Sequence, residues 1–457
     1  MTSSDQPVQR ETRFDADIAR YAARARGMVA SEIRALFSVA NRPEVVALAG
    51  GSPNISGLPL DIVGSLLGDL VRDHGTTAMQ YATAQGDPRL REQIIEVMRP
   101  AGIEANPDDV VVTVGSQQAL DLVTRIFCDP GDVVICEGPS YVGALGVFAA
   151  YQCDVVHVEM DEAGLIPEHL ENALATVAAA GRRIKMLYTI PNFHNPAGVT
   201  LSAERRARVL EICRQHDVLV LEDDPYGLLG FEGEPPRALK ADDPARVVYL
   251  GSFSKTFAPG FRVGWAVAPH AIREKLVLAQ ESATLCPPTF SQHAISTYLD
   301  RYDWKAQIKE FRETYRVRRD AMLEALSDFM PAGPNGSDSS CDSGTGSAGA
   351  GMSWTRPAGG FYVWATLPEG LDAKAMSPRA ITGRVAYVPG TAFYADGFGS
   401  RCMRLSYCFP TPERIREGVR RLAAVIDHEL ELRDTFGPVI RGGDGGAGVE
   451  SPGPELT

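Results

Sequence analysis

Lys255 stands in GSFSKTFAPGFRVGW, directly after the apolar run VVYL, with Ser252 and Ser254 before it and Arg262 after it. A lysine amine among small residues can condense with an aldehyde, and flanking hydroxyls with a nearby guanidinium can hold a phosphate. An aldehyde cofactor carrying a phosphate needs more than that: an acid opposite its ring nitrogen, a face to stack on, and a donor for its ring oxygen. Asp223, in VLVLEDDPYG, follows an apolar strand-like run and can serve as the acid, with Tyr226 three residues on as a hydrogen-bond donor to the ring oxygen. Gly115, Ser116 and Gln117 lie between VVVTV and ALDLVTRIF, where a helix start exposes unpaired N–H groups to an anion. Tyr141, in CEGPSYVGAL, offers an aromatic face, and Asn195, in PNFHNPAG, can hydrogen-bond the ring oxygen or a substrate carboxylate. Taken singly, each motif has a plain structural reading: a surface lysine, an acidic turn, a loop tyrosine, with His194 a structural neighbour of Asn195. The order of the set, one member after each strand-like run, points to one site.

Those positions presuppose a particular scaffold. From about 109 to 270, short apolar runs alternate with helix-like stretches: VVVTV, DVVIC, CDVVHVEM, IKMLYTI, VLVLED, RVVYLGS and RVGWAVA. Continuous apolar strands between helices predict a buried, mostly parallel sheet, here of seven strands, in an α/β domain. Ligands of such sheets sit beyond the carboxyl ends of the strands, where all these candidates fall. Residues 286–435 predict a smaller α+β domain, with a long amphipathic helix over 303–330, strands in GGFYVWATL and RCMRLSYC, and a closing helix. Ahead of the strand-like runs, residues 15–40 are Ala- and Arg-rich with spaced apolar positions and predict a helix or helix pair. Residues 1–14 read as a disordered leader, 331–353 as a flexible Gly/Ser/Asp-rich insertion and 436–457 as a disordered tail.

The chain has 457 residues, enough for two domains and a large core, and a formal charge of −13. That balance argues against a binder of nucleic-acid backbones. The eight cysteines show neither a Cys-x-x-Cys pair nor a metal-ligand spacing with histidine, so no metal site is expected and reduced thiols are. An amino terminus without an apolar signal region, and no run long enough to span a bilayer, place the protein in the cytoplasm.

ALAGGSPN, QYATAQGDPRLRE, PNFHNPAG, LEDDPYG, GSFSKTFAPGFRVGW, PAGGFYVWATLP, and AYVPGTAFY followed by RLSY resemble the motifs of fold-type-I pyridoxal-5′-phosphate (PLP) enzymes of the class I/II aminotransferases. The resemblance is nearest to the 2-aminoadipate and kynurenine aminotransferases, covers about residues 25–430, and implies a large domain over 55–285 with a small domain that joins residues 15–54 to 286–435. It implies a PLP-dependent enzyme that moves the amino group of an L-amino acid to a 2-oxo acid, with 2-oxoglutarate the acceptor in a ping-pong reaction. By the same resemblance Lys255 binds the cofactor and shuttles the proton, Asp223 pairs with the ring nitrogen, Asn195 and Tyr226 hold the ring oxygen, and Tyr141 stacks on the ring. Ser116, Gln117, Ser252, Ser254 and Arg262 hold the phosphate. Tyr81 reaches the phosphate of a neighbouring subunit, which implies a homodimer. Arg404 grips the substrate carboxylate, Gly51 belongs to a segment closing over substrate, and Arg34 aligns with a position that binds acidic side chains in some relatives. Other chemistry at the α-carbon (a lyase, decarboxylase or racemase) fits the same fold. A PLP-binding regulator would need a DNA-binding domain, for which fewer than about 50 residues precede AGGSPN.

Overall fold

The first apolar run, VVALAG, forms a two-residue strand, β1 (Val46–Ala47), and the runs that follow it become the strands of one large sheet. In chain order these are β2 (Val110–Thr113), β3 (Val133–Gly138), β4 (Asp154–Asp161), β5 (Gly164–Leu165), β6 (Ile184–Thr189), β7 (Leu219–Asp223), β8 (Val247–Ser252) and β9 (Gly264–Val267). A computed structural model describes residues 20–26, 42–331 and 351–437 of the chain. The expected leader (1–14), most of the expected helix over 15–40 with Arg34, all but the ends of the insertion, and the tail beyond 437 lie outside the described residues.

The sheet runs β2-β9-β8-β7-β6-β3-β4-β5. Strands β8, β7, β6, β3 and β4 are mutually parallel, while β9 is antiparallel to β2 and β8. Eight strands stand where seven were expected. The eighth, β5, is a two-residue return paired antiparallel to β4, too short to register as an apolar run. Alternate side chains of the strands feed two separate cores. Val134, Cys136 and Leu221 pack with the helices Ser116–Phe127 and Val142–Ala150, whereas Val133, Ile135 and Val220 pack with Pro167–Ala179 and Ala203–Gln215. Burial on both faces explains why these strands read as unbroken apolar runs.

A second, four-stranded sheet has the order β10 (Ser353–Trp354), β11 (Tyr362–Thr366), β14 (Cys402–Ser406), β13 (Val388–Pro389). It carries Arg404 opposite Trp364 in the antiparallel β11–β14 ladder. β1 pairs in parallel with β12 (Val385–Ala386), tying the early chain to this late part. The helices Trp304–Phe329 and Pro412–Phe436 are capped by Asp303, which accepts from Ala306 N, and by Thr411, which accepts from Arg414 N. Among the described residues no helix is long and apolar enough to cross a membrane.

Candidate active site

The carboxyl ends of β8, β7 and β6 are neighbours in the sheet: β7 ends on Asp223, while Lys255 follows β8 and Asn195 follows β6. β3 leads to Tyr141 and β2 to Ser116 in the same way. All the expected site residues except Gly115, Tyr81 and Arg34 line one cavity of about 430 Å³. Tyr81 is 76% exposed and lies apart from it, and Arg34 is outside the described residues.

One end of the cavity is an anion cup. The helix Ser116–Phe127 starts at Gly115, whose φ of 74° is left-handed; a Cβ there would come within 2.5 Å of Arg262 Nη2. Glycine therefore lets the guanidinium approach the helix's free N–H groups. Arg262 is itself left-handed (φ 54°) and donates to Val114 O at 3.1 Å. Ser252 Oγ donates to Ser254 Oγ at 2.9 Å and accepts from Ser254 N at 3.0 Å, which presents both hydroxyls to the same space. Gln117 Nε2 donates to Gly143 O at 3.1 Å, and its Oε1 accepts from Tyr141 Oη at 3.1 Å.

The middle of the cavity holds an acid and an amine in unusual states. Asp223 is buried, and burial pushes its carboxyl up to about 7, against a hydrogen bond from Tyr188 that pulls it down. Tyr188 Oη donates to Asp223 Oδ2 at 2.8 Å, while Oδ1 is buried without a hydrogen-bond partner. A buried acceptor left over is costly, and a protonated ring nitrogen is a donor of the right kind. Lys255 is pulled down to about 8, chiefly by burial, with the cations of Arg404 and Arg262 adding to it. Its Nζ donates to Gly51 O at 2.9 Å. An amine that sheds its proton near neutrality can attack an aldehyde and accept a proton. Burial also pushes the Tyr141 hydroxyl up to about 12, so the ring stays neutral.

The far end is built around Arg404. It is buried, donates through Nη1 to Asn195 Oδ1 at 2.9 Å and through Nη2 to Ala49 O at 2.8 Å, and leaves Nε without a partner. Its guanidinium lies 4.2 Å from the Tyr362 ring centre and 5.0 Å from that of Phe393. A buried guanidinium that has no carboxylate beside it among the described residues is fitted to receive one. Tyr362, whose Oη is 3.5 Å from that of Tyr226, lines the cavity and is absent from the sequence expectations. So is Tyr188. Both lie in apolar strand runs, FYVW and MLYTI, where an aromatic reads as core.

Amine, orphaned carboxylate oxygen, stacking tyrosine and anion cup together fit a phosphorylated pyridine aldehyde. The comparisons agree. The profile of the family described as aminotransferase class I and II matches residues 63–422. The chain is 42% identical to aromatic-amino-acid aminotransferase 1 of Thermococcus litoralis over 90% of this chain and 95% of that one. It is 36% identical to 2-aminoadipate transaminase of Thermus thermophilus over 88% of this chain and 95% of that one. The crystal structure of Pyrococcus horikoshii kynurenine aminotransferase, in complex with PMP and with kynurenine as substrate, superposes with a TM-score of 0.83 at 40% identity, covering 91% of this chain and 99% of that chain. The chain belongs to the class I and II aminotransferases, and its cofactor is pyridoxal 5′-phosphate.

Proposed function

We propose that this aminotransferase passes the amino group of an aromatic or long-chain L-amino acid to 2-oxoglutarate in two half-reactions, with Lys255 as the proton-moving base. The observation that carries the reading is the half-buried Lys255 amine, brought down to about 8 and set in one cavity with the buried Asp223 and Arg404. Bound PLP supplies an electron sink for charge arising at the substrate α-carbon. Asp223 Oδ1 keeps the ring nitrogen protonated, and Tyr188 holds the other carboxylate oxygen in place. Asn195 Nδ2 and Tyr226 Oη donate to the ring oxygen, and Tyr141 stacks on the ring. Ser116, Gln117, Ser252, Ser254 and Arg262 hold the phosphate. Arg404 exchanges its bonds to Asn195 and Ala49 for the substrate carboxylate, which fixes the α-hydrogen toward Lys255 Nζ. That amine removes the proton and redelivers it. The bond from Lys255 to Gly51 O supports a role for Gly51 in a segment that responds to substrate.

The donor class rests on the names of the relatives and on the walls by Val142, Ile190 and Tyr362, which are apolar or aromatic. An acidic side chain would need a cation such as Arg34. A homodimer in the cytoplasm, with Tyr81 serving the partner subunit's phosphate, completes the reading; large apolar side chains exposed at Leu60, Val71, Met79 and Leu285 support it. The test is a donor screen against 2-oxoglutarate, following glutamate, alongside Lys255→Ala. Glutamate should form with aromatic donors and vanish in the variant. Carbon dioxide or ammonia as the product, or wild-type turnover by Lys255→Ala, overturns the reading.

A further inference from the structure

Glu137 is 1% exposed at the end of β3, and no step above uses it. Its carboxylate is closed on every side: Oε1 accepts from Thr189 Oγ1 at 2.6 Å, and Oε2 accepts from Ile190 N at 2.9 Å and from His194 Nε2 at 3.1 Å. His194, also 1% exposed, is equally committed: its Nδ1 accepts from Ala197 N at 3.2 Å, which leaves the ring proton on Nε2 to donate to Glu137. The His194 backbone N donates to Val199 O at 2.8 Å, closing the turn around Asn195. Asn195 Oδ1 is taken by Arg404, so Nδ2 is its free donor.

We propose that Glu137 and His194 are positioning residues that hold Asn195, and through it Arg404, in register with the cofactor ring. This rests on the reading of Asn195 as a donor to the ring oxygen. A four-residue turn carrying a functional amide has many backbone conformations, and an imidazole bridging a buried carboxylate to an N–H within the turn selects one. Glu137 further fixes Ile190, a wall of the cavity, and lies four residues before the stacking Tyr141. One buried acceptor thus ties three walls of the site to the rigid end of a central strand.

The experiment compares His194→Ala, His194→Gln, Asn195→Ala and the double variant His194→Ala/Asn195→Ala. Apoprotein is titrated with PLP, and the pH midpoint of the holoenzyme's visible absorbance is followed. His194→Ala should weaken PLP binding about tenfold, the worth of one well-placed hydrogen bond. It should also raise the absorbance midpoint, because a donor to the ring oxygen favours its ionised form. His194→Gln should stay within about twofold of wild type, its amide N–H reaching Glu137 and its oxygen accepting from Ala197. In the Asn195→Ala background the His194→Ala change should add less than about twofold, since it acts through a side chain no longer there. Equal penalties in both backgrounds, or an unchanged midpoint in His194→Ala, overturn the inference. Should His194→Ala not fold, His194→Asn carries the same comparison, its shorter amide reaching one partner and not both. An unchanged midpoint in Asn195→Ala itself would instead sink the assignment of Asn195 on which the proposal stands.

Discussion

Burial raises the Asp223 carboxyl to about 7, from 3.8, and the Tyr188 hydrogen bond offsets only part of that rise. A folded value above the unfolded one means that the native apoprotein holds an extra proton between 3.8 and about 7. Stability therefore falls as pH climbs through that window, and the full cost is present above it. Asp223→Asn removes the cost, because a neutral amide can still accept from Tyr188. The apo variant should melt above wild type at pH 8 and converge with it below pH 4. With PLP bound the order should reverse, since the ring proton then pairs with the carboxylate alone. Apo melting curves that coincide at pH 8 would show that Asp223 is not held against its charge. Arg404 allows a second prediction at this scale. Arg404→Lys keeps the charge and loses the planar fork and its stacking on Tyr362, so KM for the amino donor should rise and kcat/KM fall about 10²-fold. Unchanged steady-state kinetics would remove Arg404 from substrate recognition.

The elements explain which of these residues were legible beforehand. Lys255, Asp223 and Asn195 each follow an unbroken apolar run, and a run buried on both faces ends where ligands bind, so position along the chain already located them. Arg404 was reached through family resemblance, because its place depends on the β11–β14 pairing, which spans about forty residues and leaves no local mark. Tyr188 was missed for a related reason: within MLYTI it has the pattern of core, and only the adjacency of β6 and β7 brings its hydroxyl to Asp223. Glu137 precedes Gly-Pro and reads as a turn acid, yet the end of β3 buries it. The two-residue β5 has no periodicity to read at all. Packing between elements also sets a limit that can be measured. A Cβ on Gly264 in β9 would collide with Ser116 N and the Gly115 backbone, the start of the helix Ser116–Phe127 that is proposed to hold the phosphate. Gly264→Ala should push that helix start outward, costing about 1–3 kcal/mol of stability and weakening PLP binding about tenfold. A variant that binds PLP as wild type does would mean that the helix start is not rigidly seated on β9.

At the scale of the whole molecule, the proposed dimer makes a prediction that a monomer cannot satisfy. Tyr81 is 76% exposed and lies outside the cavity that gathers the other phosphate-facing residues. If it serves the partner subunit's cofactor, a working site draws Lys255 from one chain and Tyr81 from the other. Lys255→Ala abolishes turnover outright, and Tyr81→Ala weakens PLP binding in both sites of its own dimer by about tenfold. Mixing the two variants under conditions that exchange subunits should then rebuild one complete site per hybrid dimer. That site takes Lys255 from the Tyr81→Ala chain and Tyr81 from the Lys255→Ala chain. At limiting PLP the mixture should exceed the mean of the separate variants, and sedimentation should show dimers throughout. Were Tyr81 to act within its own subunit, each hybrid would contain one site without lysine and one without tyrosine, and mixing would restore nothing.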